Sequence, residues 1–187
     1  MTRALRLVGL AAALAAPALV SAQAAAADKP LSFGVSGGLS MPMGDLGDVA
    51  NSGFTVGGHV FLKPASMNAL RFRGDVAYDK WGVKDAGGDA DLRSLSFVAN
   101  ALYDFPSQST IRPYVIGGLG LYNSKAIINL GQTTGSTPSS TDFGLQVGGG
   151  LTFKLSGFDT FAEAKFVNVF SDGSSTTWLP ITFGVRF

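Results

Sequence analysis

From about residue 32 onward, apolar side chains recur at every second position, the period of a β-strand with two unlike faces. Eight stretches carry this alternation, predicting strands over about 32–41, 53–62, 69–80, 93–104, 112–123, 142–154, 159–170 and 178–187. On the first, Phe33, Val35, Leu39 and Met41 share one side with Gly37, while Ser32, Ser36 and Ser40 share the other with Gly34 and Gly38. On the third, Leu70, Phe72, Val76 and Tyr78 oppose Arg71, Arg73, Asp75 and Asp79. On the seventh, Thr160, Ala162, Ala164 and Phe166 oppose Asp159, Phe161, Glu163 and Lys165. The fifth, RPYVIGGLGLYN, is apolar on both faces; the expectation is that Tyr114, Ile116, Gly118, Gly120 and Tyr122 face outward.

Ordinary strands average about 5–6 residues, whereas a tilted membrane strand needs about 9–11. These run roughly nine to thirteen. The connections alternate in length. Segments 42–52, 81–92 and 124–141 are long, 63–68 and 155–158 are short, and 105–111 and 171–177 lie between. Short turns at one end and long loops at the other are the habit of outer-membrane barrels.

The charged residues decide which face points where. A water-soluble barrel or sandwich turns its charges outward. Here Arg71, Arg73, Asp75, Asp79, Glu163, Lys165 and Arg186 share the faces with Asn100 and Gln146, opposite long apolar stripes. Those stripes end in aromatics. Phe33, Phe72, Tyr103, Phe153 and Phe187 are expected near one rim; Phe54, Tyr78, Tyr122, Phe143 and Phe170, with Trp81 and Trp178, near the other. Two aromatic girdles flank the apolar band of a membrane barrel, and lipid leaves no strand edge unpaired. The pattern predicts an all-β, eight-stranded antiparallel transmembrane up-and-down barrel.

The first residues follow a different rule. Arg3 and Arg6 precede the apolar run LVGLAAALAAPALV, and small residues follow around Val20-Ser21-Ala22. This is the layout of a cleavable signal peptide. It is assigned to residues 1–22, with cleavage as late as 27, ahead of a barrel domain over 28–187. No other run is long enough for a membrane-spanning helix. Charged residues make up 14 % of the chain and the net charge is +1, so no broad basic field favours nucleic acid. With no Cys there is neither a disulfide framework nor a thiolate metal site.

The closing LPITFGVRF resembles the C-terminal signal read by the barrel assembly machinery. PYVIGGLG at 113–120 and FAEAKF at 161–166 resemble strands of small barrels related to the OmpA transmembrane domain and OmpX. The resemblance covers about residues 28–187. It implies an integral outer-membrane protein with both termini in the periplasm, handled by periplasmic chaperones and the assembly machinery, surrounded by outer-membrane lipid and lipopolysaccharide, and monomeric. Phe183, Val185 and Phe187 would form the assembly signal. OmpA-type proteins carry a peptidoglycan-binding domain after the barrel; with Phe187 ending this chain, no cell-wall anchoring is expected.

An eight-stranded barrel is just wide enough for its own side chains to fill. Counting from the strand starts puts Arg73 level with Glu163 and Asp75 level with Lys165. A lumenal cluster of Arg71, Arg73, Asp75, Glu163 and Lys165 is expected to plug the barrel, with Asp159 and Arg186 pairing at the periplasmic mouth. The competing reading of the same charges is a narrow gated ion pore.

Catalysis has little to build on. Barrel enzymes that act on lipids need a His with a Ser nucleophile or a carboxylate. This chain has one His, His59, on an inward face, and lacks the deacylase pattern of His, one residue, then Ser-Asn. No enzyme activity, metal or cofactor is expected. Gly117-Gly118-Leu119-Gly120 and Gly148-Gly149-Gly150 lie inside strands rather than before a helix, which fails the context of a phosphate loop. The expected work is structural or interactive, through external loops, with loop 124–141 as the candidate contact for an extracellular ligand. The alternatives are a lipid-modifying barrel enzyme, the gated pore, and a soluble periplasmic ligand-binding barrel.

Overall fold

The alternating stretches form strands, and the strands close into a ring. The computed structural model describes residues 30–67, 69–84, 89–130, 133–171 and 173–187; the expected signal peptide lies outside them. In chain order the elements are β1 (Leu31–Met43), α1 (Gly44–Val49), β2 (Gly53–Leu62), β3 (Leu70–Gly82), β4 (Asp89–Asp104), β5 (Ile111–Leu130), β6 (Thr133–Ser136), β7 (Ser140–Lys154), β8 (Asp159–Ser171) and β9 (Ser174–Arg186). Each long strand pairs antiparallel with its neighbours, and β9 returns to β1. Eight strands form the wall, and β6 is a flap folded back on the outer end of β5. Closure is what lipid demands, since every wall strand then has a partner on both sides.

The seam between β1 and β9 runs from Gly34 opposite Arg186 to Met43 opposite Thr177. Past its lower end, Phe33 and Phe187 exchange both backbone N–H···O=C bonds, at 3.0 and 2.9 Å. Gly38 sits inside this seam, where a Cβ would run into the Ile181 carbonyl.

The polarity is inverted relative to a water-soluble protein. Val35, Leu39, Phe97, Val147 and Phe183 are each more than half exposed on the outside, whereas Arg73, Asp75 and Glu163 are buried inside. An exposed apolar belt with charges within is stable only where hydrocarbon surrounds it.

Three expectations need correction. The fifth strand has the opposite phase: Tyr114, Ile116 and Tyr122 are buried in the lumen, and Val115, Leu119 and Leu121 face out. Inward Gly118 and Gly120 leave space that Asn100 and Val98 occupy, while outward glycines would only have thinned the wall. Trp81 and Trp178 belong to no girdle; both are buried inside, with ring centroids 5.3 Å apart, edge to face. Segment 124–141 is mostly not loop. The β4–β5 ladder continues to Asp89 opposite Asn129, and Ile127 and Ile128 pair again with Ser136 and Gly135 of β6. The β-branched pair Ile127-Ile128 favours an extended backbone. The long connection 42–52 also contains a helix the alternation did not predict, α1, with Gly44 at φ +56°.

Candidate functional site

The lumen is filled in three layers. The end carrying both termini of the barrel is called the near end, and the opposite end, with α1 and β6, the far end.

The middle layer is a hydrogen-bonded network of polar side chains. β3 projects Arg73 and Asp75 inward, two residues apart, and β8 projects Glu163 and Lys165 from across the barrel. Arg73 Nη1 donates to Glu163 Oε2 at 2.9 Å and Nη2 donates to Oε1 at 2.8 Å, a two-point pairing. Nη2 also donates to Asp75 Oδ2 at 2.9 Å. Lys165 Nζ lies 3.6 Å from Asp75 and 3.4 Å from Glu163. Two cations thus face two anions. Two further donors reach oxygens already held by Arg73: Tyr114 donates its hydroxyl to Glu163 Oε2 at 2.8 Å, and Asn100 Nδ2 donates to Asp75 Oδ2 at 3.0 Å. Gln146 closes the chain by donating to Asn100 Oδ1 at 2.5 Å.

Of the five residues expected in the plug, four meet there. Arg71 does not. It sits one inward position closer to the near end, where Nε and Nη2 grip both oxygens of Asp104 at 2.5 Å. Asp104 ends β4 next to the connection, where a charge in the sequence is ordinary and does not mark a lumenal partner. The near layer also contains the Arg186–Asp159 pair, which the register puts directly opposite each other. Phe61 and Phe161 fill the space between, in edge contact with centroids 6.1 Å apart. The Arg71, Arg73 and Arg186 guanidinium groups lie 5.5 to 6.0 Å from the Phe61 ring centre. The free space among these side chains is about 10 Å³, room for about one water.

The far layer is built on aromatic rings, with Ser40, Thr55, Asp79 and Ser94 buried on the inward faces beside them. Trp81, Trp178 and Tyr122 stack edge to face, and Ala50, Val98, Val167 and Val169 pack around them, with Leu46 of α1 and Leu92 against the outside. Trp81 Nε1 donates to Ser40 at 3.1 Å. Beyond it, at the far mouth, Lys80 and Arg93 hold the Asp91 carboxyl below its ordinary range.

His59 is more connected than its isolation in the sequence implies. Its Nδ1–H donates to Asp75 Oδ1 at 2.7 Å, leaving Nε2 to accept from the Ser36 hydroxyl at 2.8 Å. This is the order of a nucleophilic triad. Ser36, His59 and Asp75 come from three adjacent strands, and their pairing follows from register, with Gly34 opposite His59 and His59 opposite Asp75. The triad-like chain lies between the Phe61–Phe161 and Trp81–Trp178 layers with Ser36 half-buried, and in a closed ladder the backbone N–H groups that would steady an oxyanion already pair with neighbouring strands. Among the described residues, no group of three or more His, Cys, Asp or Glu side chains is placed to hold a metal ion.

The model of the outer membrane protein beta-barrel domain family matches residues 12–187. A search of the curated proteins finds no match. Among solved structures the fold is similar to that of Neisserial surface protein A, at 23 % identity and TM-score 0.61, covering 84 % of this chain and 96 % of that one. It is similar to a major outer membrane protein from Thermus thermophilus, at 12 % identity and TM-score 0.59, covering 85 % and 99 %. It is also similar to Ail, the attachment invasion locus protein of Yersinia pestis, at 20 % identity and TM-score 0.52, covering 84 % and 97 %. At these identities the likeness is one of fold. The family match spans nearly the whole chain, so the protein belongs to the outer membrane protein beta-barrel domain family and is an integral barrel of the bacterial outer membrane.

Proposed function

We propose that this protein is a closed, non-enzymatic barrel that acts through the surface at its far end. A monomer, it has both termini on the periplasmic side and was brought there by a cleaved leader. The observation that carries the reading is a contrast. The lumen is packed at three levels, yet the β4–β5 ladder continues beyond the barrel wall to Asp89 and Asn129 and gains the β6 flap. Lumen packing serves stability, and a sheet raised above a rigid scaffold offers a surface for contact. Phe183 and Val185 on the last strand, with Phe187 just past it, would be read by the assembly machinery before closure.

The test is a binding screen of wild-type protein in vesicles against extracellular-matrix proteins and sulfated saccharides, repeated with residues 126–137 replaced by a short Gly-Ser turn. A ligand that binds the wild type and not the shortened hairpin supports the reading. Equal binding by both removes the hairpin from it. Protease digestion of intact cells tests the orientation separately: a tag at residue 30 should be protected.

A further inference from the structure

The wall has a break in its hydrogen bonding, and a proline causes it. Phe33 and Phe187 exchange both backbone bonds, so every second pair along the β1–β9 seam is a bonded one. Pro180, opposite Ser40, falls on a non-bonded pair. Its backbone nitrogen therefore points away from β1 and toward β8. Extending the β8–β9 register from Ala164 opposite Ile181 puts Lys165 opposite Pro180. Proline has no N–H, so the Lys165 carbonyl goes without the ladder bond that any other residue would donate. The ladder shows the effect. Ala164 pairs with Ile181 and Val167 with Trp178, but Lys165 and Phe166, between them, pair with nothing on β9. The other ladders of the wall run without an internal gap among the described residues. Proline in a sheet belongs on an edge strand or a bulge, and β9 is a strand with partners on both sides.

Two more unpaired groups lie on the first two rungs past the gap. Trp178, opposite Val167, has a buried Nε1–H that finds no acceptor; Asn168, opposite Thr177, has a buried Oδ1 that finds no donor. The first is on the lumen side of the wall and the second on the lipid side. With the Lys165 carbonyl, three polar groups stay unsatisfied for as long as β8 and β9 are together. Such groups are costly inside a membrane wall, and parting the strands relieves them. Separation therefore costs less here than at a fully bonded rung.

We propose that the barrel wall opens locally at this point, with β8 and β9 parting between Lys165 and Trp178 to make a lateral hatch from the lumen to the bilayer while both mouths stay packed. Lys165 belongs to the middle ion network and Trp178 to the far aromatic layer, so the hatch borders both. Phe166 and Leu179 are its outer leaves, on the lipid-facing side of the same strands. The β7–β8 and β1–β9 ladders continue unbroken past this height and hold each strand from its other side, which keeps the opening local.

The experiment is residue-resolved amide hydrogen exchange of the whole barrel in nanodiscs. Val167 and Trp178 bond each other across β8–β9, and Arg73 and Asn100 are the matching rung of the intact β3–β4 ladder. In the wild type, protection at Val167 and Trp178 should be about tenfold or more below that at Arg73 and Asn100. Pro180→Val restores the missing N–H and should raise protection at Val167 and Trp178 about fivefold, the worth of one hydrogen bond, with Arg73 and Asn100 unchanged. A heat-modifiable gel shift confirms folding, and Pro180→Ala replaces Pro180→Val should the latter fail to fold. The chain has no Cys, so Phe166→Cys with Leu179→Cys gives one defined cross-link over the gap. Oxidised, this variant should be protected like Pro180→Val; reduced, it should exchange like the wild type. Equal protection on the two rungs of the wild type would overturn the proposal. So would β8–β9 protection that neither the proline replacement nor the cross-link raises. A gain spread equally to Arg73 and Asn100 would mean that exchange follows global unfolding, and no hatch exists.

Discussion

Arg73 and Glu163, ninety positions apart in the chain, meet across the lumen through two parallel hydrogen bonds of 2.9 and 2.8 Å. Both side chains are almost fully buried, so neither has water to fall back on. Removing one partner leaves the other charged and unpaired. Glu163→Ala should therefore destabilise the barrel by about 3–5 kcal/mol, measured by urea unfolding in lipid vesicles. The double variant Arg73→Met with Glu163→Leu should recover much of that loss. Equal destabilisation by single and double variants would show that packing, not charge pairing, dominates.

The packed lumen also predicts electrical silence. Single-channel recording of the wild type should show no sustained open level. If the wild type shows brief openings and Glu163→Ala turns them into a steady conductance, the cluster is a gate, and the closed-barrel reading is wrong.

The Ser36–His59–Asp75 chain has triad order between the two aromatic layers of the lumen. A fluorophosphonate probe should leave Ser36 unmodified in the folded protein. His59→Ala should cost about 1–3 kcal/mol of stability by stranding its partners. Labelling that requires both His59 and the folded state would make the lumen chemically accessible and reverse the non-enzymatic reading.

The chain contains two Trp residues, and both are in the far layer. Intrinsic fluorescence is therefore a direct report on that layer. Emission should be blue-shifted and poorly quenched by acrylamide. Trp178→Ala should destabilise by about 3–5 kcal/mol and make Trp81 accessible to quencher. Free quenching in the wild type would mean the far mouth is open.

Closure depends on Gly38, whose missing side chain lets β1 approach the Ile181 carbonyl. Gly38→Val should block the β1–β9 seam and abolish the heat-modifiable gel shift. The same substitution at Gly58, outward and with nothing near its Cβ, should leave assembly intact. Normal folding of Gly38→Val would show that the seam tolerates a bulge.

Strand positions and lumen polarity were legible because most strands have one charged or small face and one large apolar face. The fifth strand lacks that contrast. Its phase is set by partners on other strands: Tyr114 goes inward because Glu163 needs its hydroxyl, and Gly118 and Gly120 go inward because Asn100 and Val98 need the space. Trp81 and Trp178 misled for a related reason. Tryptophan suits a membrane interface and a packed lumen equally well, and the choice here follows from Ser40 and Tyr122, which meet the two rings inside. The height match of Arg73 with Glu163 needed only counting along two strands. The pairing of Arg71 with Asp104 needed the β3–β4 register, which places Arg71 opposite Leu102 and so within reach of the end of β4.

The charge balance of the middle layer bears on how the barrel enters the membrane. Arg73 and Asp75 arrive on β3 as one ion pair, Glu163 and Lys165 arrive on β8 as another, and the two-point Arg73–Glu163 pairing forms only when these strands meet across the lumen. Until that last hairpin is in place, a partly inserted sheet would expose half of an ion network to hydrocarbon. Partial insertion is therefore penalised at each earlier stage, and only the closed ring gives every member of the network its full set of partners. The network that plugs the finished barrel thus also couples the first half of the chain to the last, so that insertion approaches an all-or-none event.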